Sequence, residues 1–456
     1  MNNLIKPFKA GSNEIHDESL YTNYANSHSI PKDEIQVSNI IKECKKMGEK
    51  ITVCGSLTGL NGAAVSVQGH SMSTKNLNFM SYNEDDFSIE IGSGCTFEDI
   101  EKFVAFKSKG LREFPVAPTE KTATIGGAIS FNSSGLRSFR LNNVIDYVEE
   151  IKICDENGLF FTLNKNDQEF KDFVASEGML GIIISLKLKT INKFKSAWGI
   201  MFFFETNKDS TNFVDLIEDY KQIQTLEYID KNSFNLCEKY KKTMASIESI
   251  PKIQDNFICG IYVEIYADND DALEEIAEIF MEQAIECNSD PDLAWAMSQE
   301  EMEKLQIFRH AISECFNMEV AKYNNLDSRI KLVNIDLTWT SKSRFEIIEY
   351  YIELFKNTNL EYYIFGHIGY KAPYVNILTK NIEEYIKANK ILETCYKNAV
   401  KEGNKILSEF GIGKLKKEIF YNAEKIEIIN NKMKIKQKYD KFSLFNPNNM
   451  FTNNKI

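Results

Sequence analysis

Three glycine-bearing segments are the residues of this chain whose types and spacing best suit chemistry. They are residues 55–65, 124–135 and 176–183, in a chain that has only 22 glycines. Each segment adjoins apolar, β-branched residues that predict a strand. Because glycine has no Cβ, backbone N–H groups at such positions can approach an anion closely. The three segments together therefore predict a phosphate-rich cofactor that is held by the backbone.

The spacing within the first segment is not one of the common nucleotide-binding patterns. It reads G-x-x-x-G-x-x-G from Gly55 to Gly62. This pattern differs from the dinucleotide fingerprint G-x-G-x-x-G, and no Gly-Lys-Ser/Thr follows as a P-loop requires. A single loop of this kind is more often a tight turn. The presence of three segments in order is what favours a cofactor site.

Composition and charge exclude several classes of protein. The 456 residues are 43% hydrophobic and 26% charged, an ordinary folded composition whose length predicts more than one domain. No apolar run approaches the roughly 20 residues that cross a bilayer. Residues 1–10 lack the apolar part of a signal peptide, so we expect a cytoplasmic protein without an integral membrane segment. A net charge of −12 argues against a nucleic-acid partner.

Cysteine and histidine usage limits the chemistry further. None of the nine cysteines forms a C-x-x-C pair, which argues against zinc ribbons, iron–sulfur clusters and redox dithiols and predicts free, mostly buried thiols. Any mechanism that needs a histidine base or ligand must use one of five residues. These are His16, His28, His70, His310 and His367.

The elements that position the glycine segments are short strands and helices. Asp33 is the expected cap of a first helix, which Gly48 ends. Up to residue 191 we expect helices at 33–47 and from 96 to about 110, and strands at 50–54, 87–91, 148–154, 159–163 and 181–191. Beyond it we expect strands at 197–205, 257–267, 332–338, 362–367 and 374–378, and helices at about 208–224, 270–287, 299–322 and 381–409. This second pattern predicts a smaller α/β cap on an antiparallel sheet.

Four motifs in order resemble the FAD-linked oxidases of the vanillyl-alcohol oxidase superfamily, in particular their glycolate-oxidase/D-lactate-dehydrogenase branch. The first glycine segment is similar to GxxTGLxGGAV. Residues 114–119, 124–127 and 132–135 resemble FPPDPS…TIGGxxxxNASG, residues 176–183 resemble SEGTLGII, and residues 445–451 resemble LNPGKVF. The resemblance covers residues 30–451. It implies an α+β fold with a PCMH-type FAD-binding domain of two α/β subdomains (1–191), a ferredoxin-like α/β cap (192–405) and a segment that returns to the FAD domain (406–456).

The resemblance also implies which residues bind FAD. The amides of residues 55–62 and 125–127 would meet the pyrophosphate, and Pro118 and Thr119 would meet the isoalloxazine or its ribityl chain. Glu177 and the strand that contains Ile182 and Ile183 would lie near the adenine and the flavin edge. The full set is Gly55, Ser56, Leu57, Thr58, Gly59, Gly62, Pro118, Thr119, Thr124, Ile125, Gly126, Gly127, Asn132, Gly135, Glu177, Ile182 and Ile183. The sequence departs from the family at Cys54, where an arginine is usual, and at Ala63, where a second glycine is usual.

The reacting groups are implied by two further motifs. Oxidation of a 2-hydroxy acid needs a cation for the carboxylate and a base for the hydroxyl proton. Arg309 resembles the family's substrate-carboxylate arginine, and its planar fork suits that role; Lys331 matches a second basic position. Residues 365–378 read FGHIGYKAPYVNIL where the branch has FGHIGDNHLHVNIL. His367 and Asn376 are therefore retained, while tyrosines replace an aspartate and a histidine.

The altered residues remove ligands that a metal site of the family would need. In many relatives two histidines and a glutamate bind a divalent metal, and the next histidine acts as base. Here Tyr374 replaces the second histidine, Glu409 is retained, and Phe410 replaces the base. These leave too few ligands for a closed site. We therefore predict no metal, and a catalytic set that comprises Arg309, His367, Glu409, Lys331, Tyr374 and Asn376.

Three interpretations follow from the resemblance. In the first, the protein oxidises a small 2-hydroxy acid such as D-lactate or glycolate by hydride transfer to FAD, and His367, with Tyr370 or Tyr374, moves the proton. In the second, a more apolar pocket around Phe410 accepts a different substrate. In the third, the protein is an electron-relay subunit or a catalytically impaired homologue. We predict the first. The electron acceptor is open among oxygen, a quinone, an electron-transfer flavoprotein and a dye-like carrier.

Overall fold

The computed structural model describes residues 4–7, 14–406 and 409–451. The chain divides into two compact units. The first unit comprises Met1–Gly135, Asn143–Lys193 and Glu409–Ile456, and the second comprises Leu136–Asn142 and Phe194–Ser408. No described helix has the length and apolar character that a membrane span requires.

The helices and strands have the following bounds. The α-helices, in chain order, are α1 (Glu34–Met47), α2 (Phe97–Lys107), α3 (Ile125–Phe131), α4 (Ser138–Leu141), α5 (Phe170–Phe173), α6 (Asn207–Ile217), α7 (Lys231–Tyr240), α8 (Asp270–Glu286), α9 (Gln299–Leu326), α10 (Arg344–Phe355), α11 (Ile382–Lys401), α12 (Lys417–Ala423) and α13 (Ile426–Tyr439). The strands are β1 (Lys6–Pro7), β2 (Glu14–His16), β3 (Thr22–Tyr24), β4 (Ser27–Ser29), β5 (Ile51–Cys54), β6 (His70–Ser73), β7 (Met80–Tyr82), β8 (Ser88–Gly92), β9 (Arg112–Glu113), β10 (Val148–Cys154), β11 (Phe160–Asn164), β12 (Ile182–Lys189), β13 (Ile191–Asn192), β14 (Ser196–Phe204), β15 (Ile223–Asp230), β16 (Cys259–Ala267), β17 (Trp295–Met297), β18 (Val333–Ile335), β19 (Glu361–Gly366) and β20 (Tyr374–Leu378).

The first unit contains two main sheets. One has the order β1-β4-β6-β5, in which β5 and β6 run parallel; the other is antiparallel with the order β11-β10-β12-β8-β7. Helix α1 contributes Val37, Ile40 and Ile41 to a buried cluster that also contains residues of β5, β12 and the carboxyl-terminal Phe445. The returning segment is thus part of this core.

Local capping signals in the first unit are confirmed. The side chain of Asp33 accepts the N–H of Gln36, and Gly48 ends α1 with a φ of 72°. Thr96 caps α2 by accepting the N–H of Asp99. All nine cysteines are buried and free, as predicted.

The second unit is built on one antiparallel sheet with the order β17-β14-β16-β15-β19-β20-β18. Helix α9 covers one face of this sheet, since a Cβ at Gly199 of β14 would contact the side chains of Met302 and Leu305. Helices α6 and α8 pack on β14 and β16. The sheet and its helices hold the polar residues described below.

Two predicted helices in the second unit have wrong ends. The helix expected to reach residue 224 ends at Ile217, and a fully buried strand, β15, begins at Ile223. The helix expected to reach residue 409 ends at Lys401, and Gly403 follows with a φ of 85°. In the first place the apolar residues beyond the helix belong to a strand, which helical periodicity alone does not reveal. In the second, residues 407–408 of the predicted helix lie outside the described residues.

Candidate functional site

The glycine segments meet in one open cleft of the first unit. Six of the residues predicted to bind FAD line it together with Ser93, Ser130, Phe131 and Asn446. The six are Gly55, Gly126, Gly127, Glu177, Ile182 and Ile183. The structure therefore brings together residues that are more than 120 positions apart in the sequence.

Close backbone approach explains two of the glycines. A Cβ at Gly55 would lie 2.2 Å from the Oγ1 of Thr124, the residue that caps α3. A Cβ at Gly135 would lie 1.9 Å from the carbonyl oxygen of Ala117, next to Pro118. Real Cβ atoms do not approach other atoms so closely. Both glycines are required for the packing of one segment on another, before any cofactor is considered.

The amides of the cleft correct one expectation. The N–H of Ile125 donates to the carbonyl of Cys95, and that of Gly126 donates to the carbonyl of Ser93. These two groups are already used, so they are not the predicted donors to a pyrophosphate. By contrast, the N–H groups of residues 56–59 make no hydrogen bond to another described residue. The first glycine segment is the one that offers backbone donors.

A buried, unsatisfied hydroxyl indicates that the cleft suits FAD. Among the residues that the structure describes, the Oγ of Ser93 and the Oδ1 of Asn132 are buried without a hydrogen-bond partner. Ser93 lines the cleft. Unsatisfied buried polar groups cost about 1–3 kcal/mol each. Phosphate and ribityl oxygens of FAD are acceptors that would satisfy such a hydroxyl, and the unused amides of residues 56–59 would meet its anionic part.

Glu177 has a structural role that the sequence did not indicate. Its buried carboxylate accepts the N–H of Ile412 at 2.6 Å and that of Gly413 at 2.8 Å. Burial raises the pKa of Glu177, and these two hydrogen bonds oppose that rise. Its carbonyl accepts the Nδ2 of Asn446 at 2.8 Å. Glu177 therefore lines the cleft while it holds the returning segment.

The remaining predicted cofactor residues lie around the first unit. Thr124 caps α3 and accepts the N–H of Gly127 at 3.3 Å. The N–H of Gly62 donates to Asp17 at 2.9 Å. Half-buried or exposed loop positions are occupied by Ser56, Leu57, Thr58, Gly59, Pro118 and Thr119.

In the second unit, the buried carboxylate of Glu227 joins two predicted catalytic residues. Its Oε2 accepts the Nε of Arg309 at 2.6 Å, and its Oε1 lies 2.5 Å from the Nδ1 of His367. The side chains of Glu227 and Arg309 are 0% and 2% exposed. Burial opposes the ionisation of Glu227, but its interactions with His367 and Arg309 hold its pKa below the usual value. The three side chains form a buried polar cluster among the apolar residues of the sheet and of helix α9.

Three elements supply this cluster. Glu227 is on β15, Arg309 is on α9, and His367 follows β19. Strand β15 pairs with β19 through Tyr228 and Gly366, which brings the loop after β19 beside Glu227. A Cβ at Gly366 would lie 3.4 Å from the Nη2 of Arg309. The sheet register and the helix above it therefore decide the geometry.

Aromatic rings surround His367. Tyr370 stacks on its imidazole with centroids 4.8 Å apart, and Tyr374 meets it edge-on at 5.1 Å. The guanidinium carbon of Arg309 lies 4.9 Å from the centroid of the Phe365 ring. Such contacts restrict ring orientation. The tyrosine at the position of the branch's second histidine thus packs directly on the retained histidine.

Lys331 lies two residues before the start of β18. Strand β18 pairs Val333 with Ile377 and Ile335 with Val375. That Lys331 supplies a second basic group beside Arg309 stays a prediction.

Asn376 and Glu409 occupy different environments. Asn376 lies on β20 and is 7% exposed. Its neighbours across the sheet are Asn334 and Tyr363. Glu409 belongs to the first unit and is half-buried.

The sequence pattern does not single out Glu227, because it predicts one long helix over residues 208–224 and no strand directly after it. The signal was present in the sequence Ile223-Gln-Thr-Leu-Glu-Tyr-Ile-Asp230. A glutamate within such an apolar, β-branched run is rarely buried without a partner. Its partners, however, are 82 and 140 residues away.

Models of known protein families match two regions of the chain. A model described as "FAD binding domain" matches residues 28–164, and one described as "FAD linked oxidases, C-terminal domain" matches residues 197–450. D-lactate dehydrogenase of Anaerostipes hadrus is 25% identical over 439 residues, which cover 90% of this chain and 86% of that protein. Glycolate oxidase subunit GlcD of Bacillus subtilis is 24% identical over 439 residues, with 92% and 88% covered.

A third relative and a solved structure extend the comparison. D-2-hydroxyglutarate dehydrogenase of Xanthomonas citri is 22% identical over 440 residues, with 93% and 88% covered. An alkyldihydroxyacetonephosphate synthase structure has a TM-score of 0.67 at 15% identity and covers 98% of this chain and 82% of its own. This likeness shows the fold, which confirms the expected PCMH-type FAD domain with an α/β cap. The chain belongs to the FAD-linked oxidases and is an FAD-dependent oxidoreductase.

Proposed function

We propose that this protein oxidises a small 2-hydroxy acid of the D-lactate or glycolate kind. The observation that carries the proposal is the bridge that buried Glu227 makes between Arg309 and His367. An acid substrate of this class needs a cation for its carboxylate and a base for the neighbouring hydroxyl. Relatives that match nearly the whole chain are named D-lactate dehydrogenase and glycolate oxidase subunit.

Arg309 is assigned to the substrate carboxylate. Its Nε donates to Glu227, whereas its two terminal nitrogens make no hydrogen bond to another described residue. The residue is 1% exposed, so these donors are withheld from bulk water. A guanidinium fixed at Nε presents its remaining N–H groups in a planar fork, which suits a bidentate carboxylate.

His367 is assigned to the hydroxyl proton. When its Nδ1 donates to the ionised Glu227, the neutral ring carries its lone pair on Nε2, and this nitrogen can accept a proton. Glu227 then stabilises the imidazolium that results. The stacked ring of Tyr370 and the edge of Tyr374 hold the imidazole in one orientation.

FAD, when bound, supplies the acceptor for the hydride of the substrate carbon. The donor set around His367 favours proton transfer to the imidazole without a metal. The residue beside it is a phenol, a poor metal ligand compared with imidazole.

The test is anaerobic reduction of the bound flavin. We expect D-lactate or glycolate to bleach the visible flavin band of the purified holoprotein, and Arg309→Lys to raise KM about tenfold or more because a lysine cannot form the planar fork. Arg329→Lys is the matched control, since Arg329 is 69% exposed and pairs only with Asp327 among described residues. Its KM should not change.

A negative result would have a definite meaning. If dithionite bleaches the flavin and no 2-hydroxy acid does, the proposed substrate is wrong, and the electron-relay or impaired-homologue interpretation replaces it. If acids reduce the flavin and Arg309→Lys has the KM of the wild type, the oxidation stands but the role of Arg309 does not.

A further inference from the structure

The turn at residues 61–63, near the end of the first glycine segment, is held by hydrogen bonds with the carboxyl-terminal segment of the chain. The carbonyl of Asn61 accepts the N–H groups of Lys414 at 3.0 Å and Leu415 at 3.1 Å. The side chain of Asn61 donates to the carbonyl of Phe410. The loop with unused amides at residues 56–59 therefore ends in a turn that residues 410–415 hold in place.

The side chain of Lys414 makes three further hydrogen bonds in this region. Its Nζ donates to the carbonyls of Gly62 at 3.2 Å and Ala63 at 3.0 Å, and to the Oδ1 of Asn449 at 2.6 Å. It is 6% exposed. An ammonium has three protons, and these three acceptors use all of them. Lys414 can therefore act on a ligand only through the turn that it holds and through its charge.

Two buried carboxylates lie in the same network. Asp17 accepts the N–H of Gly62 at 2.9 Å, and Glu177 accepts the N–H groups of Ile412 and Gly413. Burial raises the pKa of Asp17 to about 6, and the charge of Lys414 opposes that rise. Burial lowers the pKa of Lys414 to about 7, while Asp17 and Glu177 oppose this change. The charge of Lys414 thus acts on both carboxylates, and the charge of Lys432 also lowers the pKa of Glu177.

FAD carries a pyrophosphate, so carboxylates near its binding loop would repel it unless they were neutralised. The chain has Cys54, not a basic residue, at the start of the loop, and Cys54 is buried. The buried charge that offsets Asp17 and Glu177 comes from the returning segment. We propose that Lys414 is a positioning residue of the FAD site, which fixes the turn at residues 61–63 and neutralises Asp17 and Glu177, so that the amides of residues 56–59 can hold the pyrophosphate.

This role concerns the cofactor and is independent of the proposed substrate. It also means that the amino-terminal FAD-binding region does not form the site by itself, because the turn is closed from residues 410–415 and 449.

The experiment is an FAD titration of apoprotein, full-length, by quenching of flavin fluorescence. Lys414→Met keeps the apolar stem and removes the charge and all three bonds, and we expect the Kd of FAD to rise at least tenfold. Lys414→Arg restores the charge and should recover part of this affinity. Lys434→Met is the matched control, because Lys434 is exposed on α13 and its loss changes the net charge equally; its Kd should remain within twofold of the wild type.

Folding is followed separately. All three tryptophans, Trp198, Trp295 and Trp339, are in the second unit, so their emission reports that unit while far-ultraviolet circular dichroism reports the whole chain. If Lys414→Met does not fold, Asn449→Ala decides, since it removes one acceptor of Lys414 and the bond to Ala63; we expect a Kd about threefold higher.

Three results would overturn the proposal. They are a folded Lys414→Met variant with the Kd of the wild type, an equal loss of affinity in Lys434→Met, and, where Lys414→Met is unfolded, an unchanged Kd in Asn449→Ala. A failure of 2-hydroxy acids to reduce the flavin would leave these titrations unaffected.

Discussion

The cofactor cleft of the first unit and the polar cluster of the second are built from different parts of the chain. The cleft is formed largely by backbone and small residues such as Gly55, Gly126 and Ser93. The cluster consists of three large side chains, Arg309, Glu227 and His367. A site made of backbone tolerates the loss of a side chain, but a new Cβ at one of its glycines disrupts it. A site made of side chains fails when one of those side chains is removed. This difference also decides which region a sequence can reveal.

The largest expected effect is on the side-chain region. His367→Asn keeps a polar side chain of similar size but removes the base, so flavin reduction by the substrate should slow by roughly 10²–10⁴-fold. The FAD content should not change, because His367 belongs to the second unit. Stopped-flow absorbance measures the rate. The control is His310→Asn. His310 follows Arg309 on α9 and pairs with Glu314. An equal loss of rate in both variants would contradict the assignment.

The second prediction concerns pH and the buried carboxyl of Asp230. Burial raises its pKa from 3.8 to about 6, although Ser233 and Ile364 donate hydrogen bonds to it. The folded state therefore binds more protons than the unfolded state between these values. The contribution of this group to stability is full below about pH 4 and is lost as the pH rises through 6, a difference of about 3 kcal/mol. Urea unfolding of wild type and Asp230→Asn between pH 4 and 7 measures it.

The side chain of Asp230→Asn cannot titrate. The unfolding free energy of the wild type should therefore fall relative to that of Asp230→Asn as the pH rises from 4 to 7. A difference that stays constant from pH 4 to 7 would show that the carboxyl of Asp230 titrates normally.

The third prediction separates packing from cofactor binding in the backbone region. A Cβ at Gly126 would lie 2.8 Å from both the Cβ and the carbonyl oxygen of Ser93, so Gly126→Ala should cost about 1–3 kcal/mol of stability. At Gly127 the nearest atom is the Oγ1 of Thr124 at 3.2 Å. Gly127→Ala should therefore leave the apoprotein stable and raise the Kd of FAD about tenfold, because its methyl group enters the cleft. An unchanged Kd would mean that FAD does not lie against Gly127.

The smallest effect is expected at Ser93. Its buried Oγ has no partner among the described residues, so Ser93→Ala should not destabilise the apoprotein and should weaken FAD binding about threefold, the loss of one ordinary hydrogen bond. Calorimetric titration measures both quantities. If Ser93→Ala binds FAD as well as the wild type, the cofactor does not satisfy this hydroxyl.

The difference between local signals and long-range contacts also explains which features could be predicted from the sequence. The capping of α1 by Asp33 and its end at Gly48 depend on neighbours within a few residues, so local sequence predicts them. The end of α6 at Ile217 and the start of β15 at Ile223 depend on which face is buried by the sheet. Periodicity does not distinguish these alternatives, and the strand that carries Glu227 was missed as a result.

The sequence by itself determined that this chain binds a phosphate-rich cofactor in an α+β fold, because the glycine segments are local patterns that reflect the demands of the backbone, and the resemblance of its four motifs to a known family implied that the cofactor is FAD. It also determined that His367 and Arg309 are retained. Only the tertiary structure decided that Glu227 joins them and that the amides of Ile125 and Gly126 are already used. Lys414 is of the same kind, since its partners at Gly62 and Ala63 are about 350 residues away. Pairings over such separations are set by burial and register, which no local pattern encodes.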